Sequence, residues 1–448
     1  MQKALLVKAA LIALIFLLLQ VPLKMIDGIV AERWARQQAV VQELAAQSYG
    51  RQTFAGPVLS IPYVEEYDET VAEDGGRRVE TRRVYRIARF FPATASLDGI
   101  ATVETKSRGL FKARVFNWRG SARGEFAFDG KLALERRAPD SRIAWGKPTL
   151  AWLLTDPRGL VGSPVLQWAG NDVRVERGSG LANATSGLHA VVADLDPAQL
   201  QRIGYALTLD LHGTESLSIV PLAGSDQLTL RSDWPHPSFG GQFLPLPETQ
   251  RRSKDGFEAK WALSALASNA QQQLLSLFDG KAACGGGLCA DRIEVRFIEP
   301  IDIYSLSDRA LKYGFLFVAL TFGFFFVFEL LNALPIHPAQ YFLVGLALAT
   351  FFLLLIGLSE HVAFWIAYAV AAAACIALLG SYLAAVLGGS RRGIGFAALL
   401  TALYSALYGL LVSEDNALLL GSILVFGLIA AVMYMTRHID WYALRART

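Results

Sequence analysis

The side chains with chemical potential in this chain are few and scattered. The string Trp234-Pro235-His236-Pro237-Ser238-Phe239-Gly240-Gly241 sets one imidazole between two prolines and two aromatic rings. A histidine titrates near neutrality, and Trp234 and Phe239 could close over a ligand beside it. The competing reading is that both rings fill a core while the prolines shape a rigid corner, and the residue types favour it. Two prolines fix φ and remove two backbone donors, so the string belongs in a loop, a corner or an edge strand. Ser238 and His236 do not read as a hydrolytic pair, because no nucleophile-elbow glycine spacing surrounds the serine.

Cys284 and Cys289 enclose four residues, three of them glycine. That spacer can bend enough for a structural disulfide, whereas redox chemistry would favour a C-x-x-C pattern. Zinc would need two further ligands, and none lies nearby in sequence. Glu65, Glu66, Asp68 and Glu69 precede a Gly75-Gly76 turn, and Arg77, Arg78, Arg82 and Arg83 follow it. Hard cations take oxygen ligands, but an EF-hand spacing is absent and the arginines compete. A hairpin laced by cross-strand charge pairs is the expectation. Glu329 is an ionisable group within the second apolar stretch. It is expected at the last turn of its span, near the cytoplasmic surface and reaching water. No catalytic residue, metal or cofactor is assigned.

The elements that must position these groups fall into two classes. The chain has 448 residues and a net charge of +3, which implies neither nucleic acid nor an acidic polymer as partner. Apolar residues make up 53% of it, and the excess is local. Six stretches are long and apolar enough to cross a bilayer: roughly 4–23, 313–331, 341–358, 362–387, 394–412 and 417–435. Lys8 interrupts the first and is expected to snorkel to the near interface. Lys3, Lys8, Arg391, Arg392, Arg437, Arg445 and Arg447 place both termini and the 388–393 loop in the cytoplasm. No small-x-small cleavage site follows the first span, so it is expected to stay as an anchor. Its apolar spacing continues through Ile26, Val30, Trp34, Val41 and Leu44, which predicts a helix running on towards Gly50, with a kink at Pro22. In the later spans, small residues at every fourth position (Ala398, Ala402, Ala406; Ala367, Ala371, Cys375) predict close helix contacts.

Between the first and second spans the pattern changes to short alternating runs broken by Gly, Pro, Asp and Asn. Strands are predicted at 58–64, 79–91, 113–118, 125–128, 205–211, 227–231, 257–263 and 293–298, with helices at 197–202 and 265–277. The fold class is therefore a membrane protein with six transmembrane helices, one N-terminal and five C-terminal. They carry a large β-rich, sandwich-like periplasmic domain. The expected division is an anchor and helical stalk over 1–50, the β-rich domain over 51–308, and a five-helix bundle over 309–448.

Three strings carry a resemblance. They are Ser232-Asp233-Trp234-Pro235-His236-Pro237-Ser238-Phe239-Gly240-Gly241-Gln242-Phe243-Leu244-Pro245, then Gly256-Phe257-Glu258-Ala259-Lys260-Trp261, then Arg309-Ala310-Leu311-Lys312-Tyr313-Gly314 running into Thr321-Phe322 and Phe328-Glu329. With the span layout, they make the chain similar to the CreD family of bacterial inner-membrane proteins over essentially its whole length. The resemblance implies an inner-membrane location, a periplasmic domain, membership of a two-component regulon and a part in envelope integrity and stress response. It implies no catalytic residue, and the Cys284/Cys289 pair belongs to no pattern of that family.

The function expected is non-enzymatic maintenance of the envelope. The β-rich domain would contact an envelope component or a membrane protein through the surface around Trp234, His236, Ser238 and Phe239. The alternative is a transporter or flippase built on the helix bundle, with Glu329 as its polar site. A hydrolase would need a cleft that brings His236 to a carboxylate or serine. The lipid bilayer is a partner on either of the first two readings.

Overall fold

The computed structural model describes residues 2–73, 76–128, 134–192, 202–281, 288, 290–299, 303–332, 336–386, 389–413 and 417–437. Cys284 and Cys289, and the helix expected at 197–202 apart from Arg202, lie outside these residues. The chain forms two compact units, one of Met1–Gln38 with Ile301–Thr448 and one of Ala39–Pro300. The boundary at Gln38–Ala39 falls inside the first helix, α1 (Gln2–Gln47), which continues through Pro22.

The second unit is a mixed β-sandwich. Numbered along the chain, its strands are β1 (Gln52–Glu73), β2 (Gly76–Phe90), β3 (Thr94–Arg108), β4 (Phe111–Ala127), β5 (Arg142–Trp145), β6 (Thr149–Leu154), β7 (Leu160–Trp168), β8 (Asn171–Val173) and β9 (Glu176–Arg177). There follow β10 (Gly187–Val191), β11 (Arg202–Thr214), β12 (Ser216–Val220), β13 (Ser225–Ser232), β14 (Pro237–Gly241), β15 (Arg251–Ser253), β16 (Gly256–Ser264), helix α2 (Ala270–Phe278) and β17 (Ile293–Phe297). One sheet runs β14-β17-β12-β1-β6-β10-β9, with β2 and β5 also paired to β1. The other runs β15-β16-β13-β3-β4-β11-β7-β8. Most pairs are antiparallel, but β1 with β12 and β3 with β13 are parallel.

Inward side chains of both sheets meet in one core, including Phe54, Trp152 and Phe297 from the first and Phe116, Trp118 and Phe126 from the second. That shared core makes the unit a sandwich. A smaller cluster on the other face of the first sheet buries Val58, Ala151 and Leu153 beneath Leu274 and Phe278 of α2.

Two expected strands, at 113–118 and 125–128, are one strand, β4. The join is made by Gly120, which faces Gly99 of β3 in register. The Trp118 ring lies across both: a Cβ on Gly120 would meet Trp118 Cη2 at 2.5 Å. Bare backbone at 99 and 120 therefore makes room for a fully buried indole. The helix expected at 265–277 is split. Ser264 caps a short 3-10 turn at Ala265–Ala267, and Ser268 and Asn269 separate that turn from α2.

The first unit is helical. It contains the N-terminal part of α1 with α3 (Ile303–Asn332), α4 (Pro338–Ser359), α5 (Phe364–Val386), α6 (Ser390–Val412) and α7 (Ala417–Thr436). Five described helices (α1, α3, α4, α5 and α6) are long and apolar enough to cross a membrane. The sixth expected span corresponds to α7, a helix of 20 residues.

In α1 the buried stripe is Ile12, Ile15, Leu19, Leu23, Ile26 and Val30, at steps of three and four, and it packs into the bundle core. The opposite face leaves Val7, Leu14, Leu17 and Val21 more than half exposed, as a lipid-facing surface requires. Of the two small-residue rows, only that of α5 is used as expected: Ala367, Ala371 and Cys375 are buried. In α6, Ala398 and Ala402 are exposed and Ala406 is half-buried, while Phe396, Leu400, Leu403, Tyr404 and Leu407 face the core. Bulk decides this helix: turning the large side chains inward forces the small row outward.

Candidate functional site

The Trp-Pro-His-Pro string begins where β13 ends. Ser232 Oγ accepts from the Trp234 amide at 3.1 Å, and Asp233 Oδ1 accepts from the Val103 amide of β3 at 2.9 Å. These two bonds fix the corner. Trp234 is half-buried, and its Nε1 donates to the Ile298 carbonyl at 2.9 Å, just beyond β17. The Arg114 guanidinium stands 6.0 Å from the Trp234 ring, and its Nη2 meets Glu299 in an ion pair. Trp234 therefore clasps the segment that leaves β17.

Pro237 opens β14, which pairs only with β17 and so forms a sheet edge where a missing amide is tolerated. Ser238 lies opposite Arg296 in that pair. Phe239 is edge-on to Phe257 and Trp261, with centroids 5.7 Å from each, and the Arg252 guanidinium lies 5.3 Å from its centroid. His236 is exposed, and its ring is edge-on to Trp234 at 6.5 Å. Trp234 and Phe239 thus pack against neighbouring groups while half-buried, and the imidazole is what the corner displays. Among the described residues His236 has no carboxylate partner and no hydrogen bond to Ser238, so the geometry of a hydrolytic pair is absent there. Nor do three His, Cys, Asp or Glu side chains gather as a metal site among them.

The acidic and basic strands meet in register, Glu66 opposite Arg83 and Glu69 opposite Glu80. Arg83 pairs with Glu66 at 2.6 Å, Arg82 bridges Glu69 and Glu80 at 3.3 and 3.2 Å, and Thr81 donates to Asp68 at 2.8 Å. Arginine guanidinium groups partner Glu66, Glu69 and Glu80, and a hydroxyl partners Asp68. Glu65 is different: it is fully buried, and its Oε1 accepts the Arg137 amide at 2.5 Å and the Ala138 amide at 3.3 Å.

In the helical unit, Glu329 does not reach water. It is 7% exposed; one oxygen is engaged by Lys8 Nζ of α1, and the other accepts from the Tyr341 hydroxyl of α4 at 2.8 Å. Lys8 therefore turns to Glu329 instead of snorkelling outward. The driving force is the cost of leaving either charge alone in a medium without water. A second cluster of the same composition involves Glu360, at the C-cap of α4. It receives Arg33 of α1 at 3.6 Å and the Tyr304 hydroxyl of α3 at 3.2 Å. Twenty-five residues of α1 separate Lys8 from Arg33, which is about 37 Å of helix. These clusters therefore bracket the apolar stretch of α1 and fasten it to the bundle at both ends. His337, between two prolines, is the N-cap of α4: its Nδ1 accepts from the Ala339 amide at 3.2 Å, and Gln340 Oε1 accepts from the His337 amide at 3.0 Å.

The end of α1 is held separately, within the sandwich unit. Arg158 donates to the Ala46 carbonyl at 2.7 Å and the Ala45 carbonyl at 3.4 Å, satisfying acceptors that a helix end leaves open. Asp156 orients this guanidinium with bonds of 2.8 and 2.6 Å and accepts the Gly50 amide at 2.9 Å. The Arg158 hydrogen bond first, and the Gly50 amide with it, hold the Asp156 carboxyl below its usual range against the effect of burial. Arg108 pairs with Glu43 at 3.0 Å, and Tyr49 stacks on His212 at 5.0 Å. Sequence reasoning missed the Arg158 grip on α1 and the Arg33–Glu360 pair, because Arg158 and Glu360 lie more than 100 residues from their partners on α1 and no local spacing announces them.

A sequence profile described as "CreD: Inner membrane protein CreD" matches residues 4–442. The inner membrane protein CreD of Escherichia coli (strain K12) is 36% identical over 427 residues, covering 95% of this chain and 91% of that protein. The profile match includes the helices, the sandwich and the Trp-Pro-His-Pro corner alike. On that extent of similarity, this chain belongs to the CreD family of multi-pass inner-membrane proteins.

Proposed function

We propose that this protein supports envelope integrity without catalysis, by presenting its sandwich unit in the periplasm to an envelope component or membrane protein. The observation that carries the reading is the corner at 232–241. Its bulky rings are locked into packing and its backbone is fixed by prolines and two capping bonds, and this rigid frame displays an exposed imidazole. A fixed corner with one projecting polar ring suits recognition, whereas catalysis would need converging groups. The positive residues at 3, 8, 391, 392, 437, 445 and 447 support cytoplasmic termini, and with them a periplasmic sandwich. In that oxidising compartment Cys284 and Cys289 would form a disulfide. The functional division 1–50, 51–308 and 309–448 is part of the same proposal.

Full-length protein carrying a photo-crosslinking side chain at position 236 tests this in intact cells. Discrete adducts from 236, absent from the same probe at exposed Arg142 on another part of the sandwich, are expected. Equal or absent adducts at both positions would sink the recognition surface.

A transporter or flippase is the second reading, and the buried Lys8–Glu329–Tyr341 cluster is what favours it. The two readings part on a double substitution. A transport site needs its carboxylate, so Lys8→Met with Glu329→Gln would abolish function in a well-folded protein. A structural clamp tolerates the pair being neutralised together.

A further inference from the structure

A cleft of about 560 Å³ opens on the flank of the helical unit between α3 and α7. Tyr313 and Leu316 form one wall, and Gly421, Ser422, Val425, Phe426 and Ile429 form the other. The α7 positions recur at one and four residues, so they make a single helix face. Ser422 turns its hydroxyl back to the Leu419 carbonyl at 2.8 Å and offers the cleft no free polar group. Of the lining residues, Phe426 and Ile429 are each more than half exposed, a surface suited to hydrocarbon rather than water.

We propose that this cleft holds one acyl chain of a phospholipid whose zwitterionic headgroup rests on the turn of α3 around Lys312. Three features argue for that occupant. Gly421 to Ile429 spans about 12 Å of helix, close to the roughly 15 Å of hydrocarbon in one leaflet, half the ~30 Å core. The cleft therefore has the length of a lipid chain and is too short for another spanning helix. Gly421 leaves one wall without a side chain, and a Cβ there would reach only ordinary van der Waals contact, with Leu410 of α6 at 3.8 Å. At the headgroup end the charges are mixed. Lys312 pairs with Asp308 at 2.6 Å, Arg309 lies on the same turn, and Asp27 of α1 is within electrostatic reach of Lys312. Cations for a phosphate and carboxylates for an ammonium match phosphatidylethanolamine better than an anionic lipid. The inference rests on reading α7 as a membrane span.

The test uses the full chain, reconstituted in nanodiscs of equal phosphatidylethanolamine and phosphatidylglycerol, then released into mild detergent for native mass spectrometry. A retained phosphatidylethanolamine is expected, several-fold over phosphatidylglycerol. Gly421→Leu with Val425→Trp, which fills the cleft, is expected to lose it, and Leu353→Trp on the exposed face of α4 is expected to keep it. No retained lipid, equal retention of both, equal retention in the filled variant (a loosely held boundary lipid only), or a lipid-free dimer would each overturn the proposal. In cells, Ile423→Cys in a chain with serine at 284, 289 and 375 checks the premise separately. Protection from aqueous maleimide is expected, and labelling would show instead that α7 lies outside the bilayer.

Discussion

Asp226, one residue into β13, shows how a single side chain can set pH behaviour. Its Oδ2 accepts the Ala223 amide at 2.9 Å, but burial outweighs that bond and raises the carboxyl to about 7. In the unfolded chain the same group titrates near ~3.9. Between those values the folded state binds more protons, so stability falls as pH rises through the window and levels off above about pH 7. Asp226→Asn keeps an acceptor for Ala223 and removes the charge. The sandwich should gain about 1–3 kcal/mol at pH 8, change little at pH 4, and lose this slope. Thermal unfolding of the detergent-solubilised protein at both pH values checks it; an unchanged slope would assign the titration to another group. Asp156 has the opposite sign: its carboxyl is held low, so its contribution is present above about pH 4 and fades as pH falls below it. Lys8 and Glu329 are coupled in a third way. Glu329→Gln alone leaves a lysine without its charge partner and should destabilise the bundle by about 1–3 kcal/mol. Adding Lys8→Met should recover most of that. A double mutant as unstable as the single would argue against a clamp. None of these three environments is legible in the sequence, because the burial of Asp226, the Gly50 amide on Asp156 and the Lys8–Glu329 pair all depend on distant segments. His236 and Glu329 could be singled out by type and flanking residues, and Glu65 by its acidic run, whereas no local pattern marks Asp156 and Arg158.

At the scale of elements, the patterns that survived folding were those with a local cause. The acidic and basic runs became the β1–β2 hairpin with Arg83 on Glu66 and Arg82 on Glu69, since strand register follows from the turn between them. The proline-bracketed string became a corner and an edge strand, for want of amides to give. Patterns with a remote cause were misread. The strands expected at 113–118 and 125–128 are one, because Gly120 admits the Trp118 indole and β4 runs on past it. Gly99→Ala should therefore collide with Trp118 and lower the melting temperature by several degrees, equivalent to about 1–3 kcal/mol. A variant with wild-type stability would show that the indole has room to move. The open carbonyls at the end of α1 make a further test. Arg158→Ala removes the donor to Ala45 and Ala46 and leaves Asp156 without its cation. A loss of about 1–2 kcal/mol is expected, with amide exchange rising first over residues 43–50; uniform exchange across the sandwich would contradict this.

For the molecule as a whole, hydropathy carried the most information. The long apolar stretches, the β-rich insertion after the first and the shared core of two sheets follow from residue periodicity, and the family comparison covers the same extent. Hydropathy could not show that α1 is a bundle member, with buried residues from Ile12 to Val30 and a charged clamp at each end. On the proposed function, the sandwich of this family member lies outside the cytoplasm and works there through the His236 corner. The most direct measurement places a cysteine at exposed position 236, by His236→Cys, in a chain whose cysteines at 284, 289 and 375 are serine, and treats intact cells with a membrane-impermeant maleimide. The account predicts labelling of intact cells equal to that of lysed cells. Labelling that requires lysis would put the sandwich in the cytoplasm and contradict it.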